Sequence, residues 1–122
     1  MKAVKIPADA SQPIQLIDVE YGWENFARAV GGPCRYIERF KCPLTPVHSL
    51  VGVLDEDGQY NGQPDNLRSW PLYPLEGYVL KGDVLVLREG MTPEGPDFID
   101  MADDGAKALS LVQGLLEGAD HA

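Results

Sequence analysis

Two histidines and two cysteines among 122 residues leave little material for metal or nucleophile chemistry. Cys34 and Cys42 flank the stretch RYIERFK. If that stretch is extended, the two lie about 26 Å apart, far beyond disulfide reach. With His48 they form a Cys-x7-Cys-x5-His pattern that lacks both zinc-finger spacing and a fourth ligand. His121 sits one residue from the end, where an orienting partner for general-base work is hard to supply. There is no Gly-x-Ser-x-Gly elbow, no His-Glu-x-x-His, no phosphate loop and no Gly-x-Gly-x-x-Gly. These absences argue against an enzyme and against a resident cofactor or metal, and none of the three is expected.

Long apolar runs are also missing. No stretch approaches the ~18 residues needed to cross a membrane, and MKAVKIPADA has two lysines but no apolar core of a signal peptide. The expectation is a cytoplasmic protein with no membrane partner. Positive charge is scarce too: ten Lys and Arg face 19 Asp and Glu, for a net charge of −9. The imbalance is concentrated after residue 54. Residues 1–54 carry six basic and five acidic side chains, and residues 55–122 carry four and 14. Direct nucleic-acid binding needs clustered positive charge and is not expected. A partner protein with a basic surface is favoured instead, since an acidic field speeds that encounter. Either the acids solvate one face, or they engage such a surface, or they imitate DNA.

What the chain does contain is a fair apolar content, 44%, enough for one domain over residues 1–122 with residues 118–122 fraying. KAVKIP (2–7) and PIQLIDVE (13–20) alternate as strands around the turn ADASQ and form a hairpin. In GWENFARAVGG (22–32), Trp23, Phe26, Ala27 and Val30 make one helical stripe. Gly31 and Pro33 supply its end. CRYIERF (34–40), SLVGVLDEDG (49–58) and GYVLKGDVLVLREG (77–90) read as strands, with Arg35, Ile37, Arg39 and Lys41 on one basic, solvent-facing side of the first. MTPEGPDFIDM reads as a connection. DGAKALSLVQGLLEG reads as a second helix with Asp103 as its N-cap. The expectation is a single α+β domain: a mostly antiparallel sheet of about five strands with two amphipathic helices.

The most distinctive segment is LDEDGQYNGQPDNLRSWPLYP (54–74). Neither possible register meets the calcium-loop pattern, because positions 5, 6 or 12 hold the wrong residue types. Asp57-Gly58 is a strong hairpin-turn signal. The following NGQPDNLRSWPLYP places Asn61, Asp65, Asn66 and Arg68 beside Trp70 and Tyr73. Together they are the candidate partner- or ligand-binding residues, because a long connection in a small domain is often functional and Arg, Trp and Tyr dominate binding hot spots. The competing explanation is that the aromatics fill the core while the polar residues satisfy loop backbone.

MKAVKIPADA, AVGG-CRYIERF, LDEDGQYNGQPDN and LEGYVLKGDVLVL, in that order, give the chain a resemblance to a family of small domains of unknown function from phages, plasmids and bacterial mobile elements. It covers most of residues 1–88, and its most specific part is the acidic turn followed by Asn61-Gly62 and Pro64-Asp65-Asn66. The Pro33-Cys34-Arg35-Tyr36 run departs from it. The resemblance implies an accessory protein of a phage or mobile element in a bacterial host cytoplasm, and carries no catalytic residues. The leading expectation is therefore a non-enzymatic acidic binding protein that engages and modulates a host or phage protein. The alternative is a binder of a nucleotide or metabolite through residues 61–73. Paired carboxylates acting as a hydrolase form a third possibility, which would require acids with raised pKa values.

Overall fold

A computed structural model describes residues 1–31, 34–41, 50–72, 79–99 and 113–114, with residues 70 and 71 described by their backbone only. The elements run β1 (Lys2–Ile6), β2 (Gln15–Asp18), α1 (Trp23–Val30), β3 (Ile37–Lys41), β4 (Leu50–Asp55), a 3-10 helix (Leu67–Leu72), β5 (Val84–Thr92) and β6 (Gly95–Ile99). All six strands join one antiparallel sheet in the order β2-β1-β5-β4-β3, and β6 pairs with the far half of β5. The chain is an α+β domain that is mostly sheet.

The strand alternation explains the two sides of this sheet. Val4, Ile6, Leu50, Leu54, Val84 and Val86 point to one face, where Leu72 of the 3-10 helix and Leu80 close over them. Ala3, Val51, Val53, Leu85 and Leu87 point to the other, where Phe26 and Val30 of α1 cover them with Phe98. Because β4 and β5 are buried on both faces, VLVL and LVGVL are continuous apolar runs rather than alternating ones. Gly52 is required within β4: a Cβ there would lie 2.1 Å from Phe40 Cζ, whose ring occupies that space.

Helix α1 ends as its sequence dictates. Gly31 has φ 74°, and its N–H donates to the carbonyls of Ala27 and Arg28. Trp23 departs from the expected stripe and is exposed at 57%, while Phe26 and Val30 carry the packing.

Three expectations need correction. The sheet has six strands, not about five, because the supposed connection after residue 90 is a hairpin: β5 continues to Thr92 and β6 returns from Gly95. Pro96 sits in β6, on the margin of the sheet, where a missing N–H breaks no ladder. The 57–58 turn is not a hairpin either, since β4 pairs with β3 and β5 and no strand folds directly back from it. One α-helix, not two, is found among the described residues. The expected C-terminal helix lies outside them except for Gln113 and Gly114, which are helical. No helix among the described residues is long and apolar enough to cross a membrane.

Candidate functional site

The acidic run after β4 folds into a single helix-like turn capped at both ends. Asp55 begins it: its backbone carbonyl accepts from Gly58 N–H, and its carboxylate accepts from Asp57 N–H at 3.0 Å, as an N-cap does. Asp57 C=O then accepts from the N–H groups of Tyr60 and Asn61. Gly62 closes it with φ 80°, and Gln63 N–H donates back to Gly58 C=O, the six-to-one bond of a helix C-terminus. Asx and glycine chemistry thus fix this turn locally.

Side chains then lock it to the rest of the fold. The Asp55 carboxylate, 3% exposed, also accepts from Asn61 Nδ2 at 2.7 Å and Gln63 Nε2 at 3.1 Å. Gln63 Nε2 reaches the Gly31 carbonyl at 3.3 Å, tying the turn to the end of α1. Burial pushes the Asp55 carboxyl up, but the bonds from Asn61, Gln63 and the Asp57 N–H together outweigh it and hold it below its ordinary 3.8. The neighbouring Cys34 thiol is free and is pushed up to about 11, by burial first and by the Asp55 charge second.

The remaining candidates serve the framework. Asn66 is fully buried. Its Nδ2 donates to Ile6 O at 2.9 Å and Gly82 O at 3.0 Å, and its Oδ1 accepts from Ser69 Oγ at 2.8 Å. It joins β1, the approach to β5 and the 3-10 helix. Arg68 clamps the β1–β2 connection, donating to the carbonyls of Pro7, Asp9 and Gln12. Asp65 pairs with Lys81 through both an ion pair and an isolated bridge. Asn61 has its amide on Asp55, and its buried Oδ1 has no hydrogen-bond partner among the described residues. The Trp70 side chain and Tyr73 lie outside the described residues. Asn61, Asp65, Asn66 and Arg68 are therefore directed to different internal partners and do not converge on one ligand.

The outward side of the same turn carries residues that sequence reasoning did not single out. Glu56 and Asp57 are exposed, and Tyr60 is exposed at 81%. Tyr36, exposed at 62%, lies across from Glu56, whose N–H donates to its carbonyl. The signal for them was the spacing: Asp55 and Asn61 face inward with Gly58 buried between them, which leaves Glu56, Asp57 and Tyr60 to face out.

Elsewhere, Arg39, Phe40, Lys41, Val51 and Glu89 line an open hollow of about 210 Å³. Arg39 pairs with Glu89 at 2.5 Å and lies over the Phe98 ring. Among the described residues, no group of three or more His, Cys, Asp or Glu side chains could hold a metal ion. No protein-family model, curated protein or solved structure matches the chain.

Proposed function

We propose that this protein is a non-enzymatic binding module that engages another protein through the capped turn at residues 55–63. The observation that carries this is a division of labour within one acidic run. Asp55 faces inward and holds the turn in one shape, while Glu56, Asp57 and Tyr60 stand outside, Glu56 paired by its backbone with the exposed Tyr36. A rigid turn loses little conformational freedom on binding. Tyrosine adds contact area at low entropic cost, and the two acids suit a basic partner surface. Asp9, Asp18 and Asp55 are all held below their ordinary value, whereas an acid poised to donate a proton needs the opposite shift. The sequence resemblance is in keeping with an accessory protein of a phage or mobile element that modulates a bacterial host protein in the cytoplasm. A small-molecule role for residues 61–73 has less support, because the polar groups of Asn66 and Arg68 already have internal partners.

The test is capture from bacterial lysate by the immobilised wild-type chain and by a Glu56→Lys, Asp57→Lys, Tyr60→Ala variant. All three positions are exposed, so the variant should fold. A saturable, salt-sensitive partner held by the wild type and lost by the variant is the expected result. Equal retention by both would remove the turn from the account.

A further inference from the structure

Strand β3 is a terminal strand of the sheet among the described residues. Its ladder with β4 fixes which backbone groups remain unused. Glu56 N–H bonds Tyr36 C=O, and the register runs Ile37↔Asp55, Glu38↔Leu54, Arg39↔Val53, Phe40↔Gly52, Lys41↔Val51. Bonded pairs alternate along an antiparallel ladder. Glu38 and Phe40 therefore bond inward to β4, while Ile37, Arg39 and Lys41 turn their N–H and C=O groups away from the sheet.

The same alternation puts the side chains of Arg39 and Lys41 on the α1 face, opposite Val53 and Val51. Arg35 precedes them. All three are exposed, and neither Arg35 nor Lys41 has a carboxylate partner among the described residues. Residues 34–41 thus carry three cations and one acid on a chain of net charge −9. Arg39 and Lys41 also border the hollow that lies over Val51 on the inner side of β3.

We infer that the outer edge of β3 receives an extended acidic segment of another protein as an added antiparallel strand. The outward-turned N–H and C=O groups of Ile37, Arg39 and Lys41, unpaired among the described residues, supply the ladder. Arg35 and Lys41, whose charges have no carboxylate partner among the described residues, select for carboxylates. Edge lysines also discourage indiscriminate pairing, and here the same charges would admit an acidic strand while rejecting basic or neutral ones. This edge differs in sign from the 55–63 turn, and the inference does not depend on what the turn binds.

The probe is an N-acetylated, C-amidated Thr-Glu octapeptide, with a Thr-Lys octapeptide as its charge-reversed control. Binding to the full chain is followed by fluorescence anisotropy and by amide hydrogen exchange. The Thr-Glu peptide should bind, with affinity falling as salt rises. Ile37, Arg39 and Lys41 amides should slow at least tenfold, while Glu38 and Phe40 stay as they were. Arg35→Glu with Lys41→Glu, both exposed, should weaken binding tenfold or more with an unchanged melting temperature. Absence of Thr-Glu binding at millimolar peptide, equal binding of Thr-Lys, or protection that misses these three amides would overturn the inference. So would protection that appears without peptide and grows with protein concentration, the mark of a second copy on the edge. None of these outcomes bears on lysate capture by the turn.

Discussion

Asp55 shows how much one side chain decides here. It is an N-cap, the acceptor for Asn61 and Gln63, and a neighbour of Cys34. Asp55→Ala leaves buried donors without an acceptor and should cost about 3 kcal/mol in denaturant unfolding. Because its folded-state pKa lies below the unfolded value, the unfolded chain binds the proton more readily in the window between the two. The stabilisation is present above about pH 4 and is lost as pH falls through the folded value. Asp55→Asn should flatten that acid limb of the stability profile. Cys34 gives a second reading of the same contact. In a Cys42→Ser background its alkylation near pH 8 should be slow, and Asp55→Asn should speed it by removing a charge that holds the thiol protonated. Two glycines separate steric from conformational demands. Gly52→Ala collides with the Phe40 ring and should cost about 1–3 kcal/mol. Gly62→Ala meets no atom within 4 Å but forces a left-handed residue, at about 1 kcal/mol. Equal losses, or a larger loss at Gly62, would contradict that distinction in melting experiments.

At the scale of elements, local chemistry was readable in the sequence wherever it acted alone. The β1–β2 hairpin, the Gly31 end of α1 and the apolar core strands follow from alternation and capping residues. Elements that depend on distant partners were not readable. Pro93 and Pro96 disguised the β5–β6 hairpin, because only the position of β6 on the margin makes a proline harmless there. Asp57-Gly58 suggested a hairpin, yet the Gly58–Gln63 bond and the Asp55 contacts to Asn61 and Gln63 make it a capped turn. The candidate site was half legible. The segment at residues 54–74 stood out in the sequence, but Asn66 and Arg68 looked like ligand groups when their partners lie 60 and 61 residues away, at Ile6 and Pro7. Arg68→Lys cannot reproduce the forked contacts to Pro7, Asp9 and Gln12. It should speed amide exchange in residues 8–12 with a small change in global stability. Asn66→Ala should instead lower global stability by about 3 kcal/mol, since it strips the joint between β1, β5 and the 3-10 helix.

The molecule as a whole is a sheet whose β4 and first half of β5 are buried on both faces, with a capped acidic turn at the end of β4. The acids divide into those that build the turn and those it displays, and the displayed set with Tyr36 and Tyr60 forms the proposed contact surface. The most direct measurement is equilibrium capture of bacterial lysate protein by the wild-type chain and by Glu56→Lys, Asp57→Lys, Tyr60→Ala, at low and moderate salt, with matched melting temperatures. The account predicts a saturable partner on the wild type that weakens with salt and is absent from the variant. The same partner on both chains, or none that saturates on the wild type, would contradict it.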